Sequence, residues 1–124
     1  MTNRHERGLA RLRALDGSGM EQGIAGLGEI APDFPDLVIE FAFGDVLARP
    51  GLDIRTRQIA TVAALTALGT AGPQLRAHIA ASLRVGVTRE EIVEAIMQMA
   101  VYAGFPAALN GLAAAREAFA ANAA

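Results

Sequence analysis

The chain has 124 residues, a formal net charge of −2 and 52% hydrophobic residues, and it contains no cysteine. This length predicts a single domain, residues 1–124, with one modest core. The lack of cysteine excludes disulfides, thiolate nucleophiles and zinc–thiolate sites, and two histidines are too few for a histidine-rich metal site, so we expect neither a metal nor a cofactor.

Helical periodicity dominates the first half of the chain. Two helices are predicted, over residues 3–15 and over residues 20–30, and glycines weaken the second. The run APDFP then interrupts the pattern, because proline removes a backbone donor and disfavours helix before it. Asp33 is expected to cap a third helix, which carries Pro35 in its first turn and ends at residue 47 or 48. The run RPGLD that follows predicts a turn.

Helical signals continue through the second half. The fourth predicted helix, residues 54–68, is apolar on all sides beyond Gln58, which is typical of a central, buried helix. The fifth helix contains QLRAHIAASL and stops near Gly86. The run TREE, which begins at Thr88, is a capping box and starts the sixth helix. That helix ends before Gly104, and the seventh runs to about residue 121.

These signals predict an all-α fold, a compact bundle of six or seven helices, because no alternating strand pattern is present. The apolar content exceeds what one small core needs, so we expect a homo-oligomer. The sixth helix supports this expectation with two apolar stripes, formed by Ile92, Ile96, Met99 and Ala103 and by Val93, Met97 and Ala100.

The same patterns exclude some partners. Basic residues are scattered and aromatic rings are few, which argues against nucleic-acid binding. The longest apolar stretch, residues 59–68, is interrupted by threonines and is far shorter than the ~20 residues of a membrane span. The charged start of the chain lacks the apolar segment of a secretory signal. We therefore expect a cytoplasmic protein that does not enter a membrane.

His78 is the first candidate for chemistry. On a helical wheel of ~100° per residue it lies at the edge of the predicted core arc, between Gln74 and Ser82 one turn to either side. An imidazole in this place is partly desolvated and still reachable, as a general acid or base must be. The residues alone leave a second interpretation open, a buried histidine hydrogen-bonded to a backbone carbonyl.

Two further groups of residues stand out. Gly44 lies inside a predicted helix at a cost of ~1 kcal/mol against alanine, which indicates close packing or the close approach of a ligand. Asp45 follows it, and Arg49 is spaced for an i,i+4 ion pair or for binding a carboxylate. Tyr102, beside the break at Gly104, is either a hydrogen-bond donor to a carbonyl oxygen or a solvated residue at a helix end.

The motifs RPGLD, LRAH, VGVTREEIVEAI and QMAVYAGFPAALNG occur in this order between residues 41 and 111. In these motifs and their spacing the chain resembles the carboxymuconolactone decarboxylase family, within the alkylhydroperoxidase-D-like superfamily. The resemblance implies an all-helical fold that assembles into trimers or hexamers, with active sites between subunits. It also implies cofactor-free decarboxylation of 4-carboxymuconolactone or a related carboxylated lactone.

Three departures from this pattern bear on the chemistry. The redox branch of the superfamily has a CxxC motif whose second cysteine precedes a histidine by four residues. Here that histidine matches His78 and the cysteine position is Gln74, so peroxidase chemistry is excluded. Many relatives have a glutamate where this chain has Gln58, so a carboxylate relay is lost there. The motif WGE of the decarboxylase, before the RPGLD turn, is replaced by FGD at residues 43–45.

The resemblance implies roles for these residues. His78 is expected to donate a proton or to stabilise an oxyanion, and Asp45 to orient His78 or Arg49. Arg49 is expected to hold a carboxylate of the small-molecule substrate. The further expected site residues are Arg57 as a second choice for that carboxylate, Gln74 and Tyr102 as oxyanion donors, and Gln58 as a substrate contact.

Two other functions stay open. One is a cofactor-free enzyme of the same scaffold that acts on a different lactone, aromatic or polyketide substrate, and that would depend on His78 without turning over the muconolactone. The other is a non-catalytic, oligomeric small-molecule-binding protein, which would bind a ligand without forming product.

Overall fold

The computed structural model describes residues 3–122, and within them it contains helices and turns and no strand. The predicted all-α fold is therefore confirmed. The chain divides into two compact units, Met1–Ile54 and Arg55–Ala124, and each is described by itself. The single domain over residues 1–124 stays a prediction. No helix in the described part of the chain is long and apolar enough to span a membrane.

The first unit begins with two helices joined by an aspartate. Helix α1 is capped by Asn3, whose side-chain oxygen accepts a hydrogen bond from the Glu6 backbone N–H at 2.8 Å. The carboxylate of Asp16 accepts hydrogen bonds from the backbone N–H groups of residues 18–21 and so begins helix α2. The elements of this unit are α1 (Arg4–Leu15), α2 (Met20–Gly26), a 3₁₀ turn (Leu27–Glu29), α3 (Phe34–Leu37) and a π-helix (Val38–Leu47).

The predicted third helix is present, but its start and its geometry differ from the prediction. Asp33 makes no side-chain capping bond, because its backbone is already helical (φ −90°, ψ −9°) rather than extended. After one α-helical turn the segment continues as the π-helix, in which each backbone bond spans five residues instead of four. Gly44 in the π-helix packs closely on α1, because an added Cβ would come within 2.6 Å of the Arg4 carbonyl oxygen.

The second unit consists of four helices, whose bounds agree with the prediction: α4 (Ile54–Leu68), α5 (Gly72–Arg84), α6 (Arg89–Ala103) and α7 (Phe105–Ala121). Its core contains apolar side chains from all four helices, among them Val62, Leu75, Ile79, Ile96 and Ala115. Gly111 lets α7 approach the other helices, because a Cβ there would come within 2.8 Å of methyl groups of Ile96 and Thr66.

Three predicted boundaries of this unit are confirmed. Gly86 stops α5 with a positive φ of +93°, a conformation that glycine adopts without strain. Thr88 and Glu91 form the reciprocal capping box at the start of α6. Gly104, with φ +94°, separates α6 from α7.

The prediction that α4 is a central helix buried on all sides is wrong for the chain by itself. Only one face, Gln58, Val62 and Thr66, is buried, and Leu68 is 65% exposed. Small side chains allow close packing on any face, but three neighbouring helices cover only one. More apolar surface is exposed where α6 ends and α7 begins, and we call Met97, Val101, Tyr102, Phe105 and Leu109 the α6–α7 apolar surface.

Candidate functional site

His78 and Gln58 are brought together by two helices of the second unit. Gln58 lies on the buried face of α4, where its side chain is 1% exposed, and His78 is half-buried on α5. The Nδ1 atom of His78 lies 3.1 Å from Oε1 of Gln58, which is hydrogen-bonding distance. With the amide oxygen as acceptor, the ring proton is on Nδ1 and Nε2 carries the free lone pair.

The backbone around His78 is fixed by Ser82. The Ser82 hydroxyl is buried and donates to the carbonyl oxygen of His78 at 2.7 Å, a bond to the preceding turn of the same helix. Gln74, the other predicted polar neighbour, is exposed. The imidazole partner is thus an amide from another helix, and the predicted bond to a backbone carbonyl is not the one that the imidazole makes.

Burial lowers the pKa of His78 from its ordinary value of 6.5, because a half-buried imidazolium loses hydration. The imidazole is therefore predominantly neutral at pH 7, and its charged form is a stronger acid than a histidine in water. An easily released proton is what a proton donor requires.

The amide nitrogen of Gln58 is buried and has no hydrogen-bond partner among the described residues. An unsatisfied buried donor costs about 1–3 kcal/mol. Such groups are rare in folded proteins and call for an explanation, of which a functional role is one. The amide oxygen of Gln58 thus faces His78, while the amide nitrogen has no hydrogen-bond partner among the described residues.

A second group of predicted site residues lies together in the first unit. Gly44, Asp45 and Arg49 line an open hollow of about 450 Å³ together with a third polar residue, Arg7, whose place here no local sequence signal indicated. The hollow is lined by Arg7, Gly44, Asp45, Ala48, Arg49 and Pro50.

Asp45 in this hollow forms an ion pair with Arg4 of α1. Two parallel bonds join them, from Nε to Oδ1 at 3.0 Å and from Nη2 to Oδ2 at 2.7 Å. These bonds hold the pKa of Asp45 below its usual range. Arg4 is the main cause of this lowered pKa and the charge of Arg7 adds to it, so the hollow brings one paired carboxylate together with the guanidinium groups of Arg7 and Arg49.

Other predicted site residues are less enclosed. Tyr102 is 77% exposed in the α6–α7 apolar surface, consistent with the interpretation of a solvated tyrosine at a helix end. Arg57 is half-buried, and its carbonyl oxygen accepts the Thr61 hydroxyl at 2.9 Å. The structure gives no contact that joins Tyr102 or Gln74 to His78.

A hollow that the sequence did not reveal lies between α4 and α6. It has a volume of about 330 Å³ and is largely apolar, with Glu91, Glu94 and Gln98 as its polar members, and it is lined by Ile59, Ala60, Ala63, Glu91, Glu94, Ala95, Gln98 and Met99. At its edge Arg55 hydrogen-bonds to Glu91, and the backbone N–H and hydroxyl of Thr88, together with Arg55, lower the pKa of Glu91 to about 2.

One group of side chains has the composition of a cation site. The ligand atoms of His5, Asp36 and Glu40 lie within 4.8 Å of one another. Contacts among these groups account for the arrangement, since His5 Nδ1 lies 3.6 Å from Glu40 and 3.8 Å from Asp36, and Arg4 forms an ion pair with Glu40 at 3.7 Å. The count of histidines in the sequence could not indicate this cluster, because its acids are more than thirty residues away from His5.

Comparisons with known proteins identify a family and several relatives that the chain resembles. The sequence pattern of the Carboxymuconolactone decarboxylase family matches residues 32–117. A 4-carboxymuconolactone decarboxylase of Acinetobacter baylyi is 36% identical over 94% of this chain and 87% of its own length. An uncharacterized 15.0 kDa protein of Paracoccus denitrificans is 38% identical over 74% of the chain and 69% of its own length. A nitrosuccinic acid decarboxylase of Metarhizium robertsii is 35% identical over 62% of the chain and 53% of its own length.

Proposed function

The chain belongs to the carboxymuconolactone decarboxylase family, and on this premise we propose that it is a carboxy-lyase that releases CO2 from 4-carboxymuconolactone or a related carboxylated lactone. Two relatives named as decarboxylases support the reaction type. The observation that carries the proposal is the His78–Gln58 pair, a half-buried imidazole held by a buried amide.

The reaction can proceed without a cofactor. The leaving carboxylate is attached to the lactone carbon that bears the ring oxygen. As CO2 departs, the electron pair of the breaking C–C bond moves through the ring double bond onto the lactone carbonyl and forms a dienolate. One proton then converts the dienolate to the enol-lactone. The protein has to hold the carboxylates, stabilise the developing oxyanion and supply that proton.

His78 is the proposed proton donor. The proton leaves from Nε2 of the imidazolium, and the neutral ring that remains keeps its other proton on Nδ1, bonded to Gln58. The lowered pKa of His78 favours this transfer because it makes the imidazolium more acidic. The exposed Gln74 and Tyr102 and the unpartnered amide nitrogen of Gln58 are the proposed donors to the oxyanion and the substrate.

Arg49 is the proposed carboxylate-binding residue, because it lines the hollow of the first unit and its planar fork fits a carboxylate. Asp45 lines the same hollow, and two hydrogen bonds from Arg4 hold its carboxylate in place. We propose that this fixed carboxylate orients Arg49. Arg57, which is half-buried at the start of α4, is the second choice for the carboxylate.

We further propose that the protein works as a homo-oligomer, a trimer or a hexamer. The exposed α6–α7 apolar surface supports this, since monomeric proteins rarely expose large apolar patches. The cytoplasm and a place in aromatic catabolism are proposed from the sequence and the family.

A second candidate is decarboxylation of a different small carboxylic acid. The nitrosuccinic acid decarboxylase among the relatives favours it, because the family scaffold is then compatible with more than one substrate. On this candidate, His78 is still required while 4-carboxymuconolactone is not turned over.

The test is CO2 release from 4-carboxymuconolactone by the wild type, His78→Ala and His5→Ala. We expect turnover by the wild type, a loss of at least 100-fold in His78→Ala, and no change in His5→Ala, which removes the other histidine. Full activity of His78→Ala would refute the proton-donor role. A wild type without turnover would refute this substrate, and the assay would move to other carboxylated lactones and to nitrosuccinate.

A further inference from the structure

We propose that Gln58 is a positioning residue that holds His78 in the Nδ1–H tautomer, so that Nε2 is the ring atom that exchanges a proton. The proposal deepens the proposed function and rests on it for the role of His78. The contact itself can be tested without any substrate.

The position of the Gln58 amide determines which nitrogen of the His78 ring carries the proton. Gln58 is almost fully buried, so that water does not compete for its oxygen, and that oxygen lies 3.1 Å from Nδ1. The backbone that carries the ring is held as well, because the Ser82 hydroxyl donates to the His78 carbonyl oxygen. Among the residues that the structure describes, the amide oxygen of Gln58 is the acceptor that faces Nδ1, and a hydrogen bond to it requires the ring proton on Nδ1.

An amide does this differently from a carboxylate. A glutamate at position 58 would accept the same hydrogen bond, but its negative charge would favour the imidazolium and hold its proton more tightly. A neutral amide fixes the tautomer and adds no charge. Two ion pairs of this unit, Arg55 with Glu91 and Arg76 with Glu117, include neither Gln58 nor His78.

The orientation of the Gln58 side chain determines whether its amide oxygen or its amide nitrogen faces the ring. An amide has a donor end and an acceptor end, and turning it by 180° would offer its NH2 group to Nδ1 and place the ring proton on Nε2. In the orientation found here the oxygen faces the ring and the nitrogen is the buried atom without a partner. The orientation of one amide thus decides which ring nitrogen is protonated.

The experiment is ¹⁵N NMR of the histidine side chains in the full chain. The chain has two histidines, so a His5→Gln variant assigns the two sets of signals and His5 serves as the internal reference. Wild type is compared with Gln58→Met, which keeps the length and buries no polar group, and with Gln58→Leu in case the first variant fails to fold. Circular dichroism confirms the helical content of each variant.

We expect the neutral form of wild-type His78 to carry its proton on Nδ1, and the Gln58 variants to shift it toward the Nε2–H form that free histidine favours, with His5 unchanged. A wild-type ring in the Nε2–H form, or a tautomer that does not change in a folded Gln58 variant, would overturn the proposal. These outcomes do not depend on turnover, so they are independent of whether the chain is a decarboxylase.

A kinetic measurement separates positioning from packing. With 4-carboxymuconolactone as substrate, Gln58→Met is expected to lower kcat by at least tenfold and to change KM far less, because the Nδ1–H ring that remains after transfer from Nε2 loses the hydrogen bond that orients and stabilises it. In a His78→Ala background the same substitution should lower kcat much less, because only a contact of the amide nitrogen with the substrate is then left to lose. A loss of tenfold or more in that background would show that Gln58 does not act through His78.

Discussion

The backbone of Gly8 lies directly against the carbonyl group of Ile39, so closely that a Cβ at position 8 would come within 1.9 Å of that oxygen. Gly44 repeats the contact from the π-helix toward Arg4. Two glycines thus bring α1 against the π-helix, and the same approach lets the side chain of Arg4 reach Asp45. The electrostatics of the hollow around Arg49 therefore depend on a packing contact.

Gly8→Ala is expected to destabilise the protein by about 3 kcal/mol, at the upper end for overpacking, because the added methyl group meets rigid backbone. Gly23→Ala is the matched control: it lies in α2 with open space around it, and alanine there should stabilise the helix by up to ~1 kcal/mol. Urea denaturation measures both. Equal effects of the two substitutions would contradict the close contact.

Arg49→Ala is expected to raise KM for 4-carboxymuconolactone by at least tenfold with the fold intact, because a guanidinium that pairs with a carboxylate is lost. Arg49→Lys should recover part of the loss, since it keeps the charge without the planar fork. Arg116→Ala removes an exposed arginine of α7 and should leave KM unchanged. An unaltered KM in Arg49→Ala would move the carboxylate site to another residue, with Arg57 tested next.

The lowered pKa of His78 predicts the pH dependence of catalysis. The imidazolium is the proposed donor, so kcat/KM should be highest below the pKa of His78 and fall as the pH rises through it, and this fall should be centred below pH 6.5. Gln58→Glu adds a negative charge next to the ring, which raises the pKa, and it should move the fall upward by about one pH unit or more. A wild-type profile that falls only above pH 6.5 would contradict the proposal.

The capping box predicts how stability depends on acid. The pKa of Glu91 is lowered to about 2, so its stabilising contribution is complete above the ordinary value of 4.5 and is lost as the pH falls from 4.5 toward 2. Glu91→Gln should flatten the loss of stability in this range, while Glu90→Gln in the same turn should keep it. Thr88→Ala should cost about 1 kcal/mol at pH 7. Denaturation at several pH values measures all three, and an unchanged acid slope in Glu91→Gln would exclude this role.

The α6–α7 apolar surface predicts that a charged substitution there dissociates the homo-oligomer. Val101→Asp places a charge on a side chain that is 77% exposed in the chain by itself, so the fold should tolerate it while an interface would not. We expect the mass measured by light scattering to fall toward 12.9 kDa, the mass of one chain. Arg116→Asp is the control on an exposed polar position. A monomeric wild type would refute the homo-oligomer.

Local signals made the second unit predictable. Thr88 with Glu91, Gly104 and Pro106 each act within a few residues of their own position, and the structure has its helix ends at these places. The turn at residues 49–53 was predicted in the same way. The half-buried place of His78 followed from the 3.6-residue period, which is also local.

Contacts between distant residues were not predictable from one sequence. Gln58 and His78 are twenty residues apart and Arg4 and Asp45 are forty-one residues apart, so their pairing depends on how helices pack. The π-helix was missed because the helical wheel assumes one fixed period. The prediction overestimated the burial of α4. An apolar composition shows that several faces of a helix could be buried, but it does not show how many neighbouring helices are present to cover them.

The π-helix at Val38–Leu47 gives the chain a place where its length can change. Each hydrogen-bonded loop of a π-helix encloses one residue more than that of an α-helix, so the loss of one residue would let part of this segment return to α-helical hydrogen bonding without breaking the helix. Successive residues of an α-helix lie about 100° apart around its axis, so such a deletion would change which side chains of this segment share a face. Relatives that differ by a single residue in this segment would keep their helices and present different side chains where this chain presents Asp45 and Arg49.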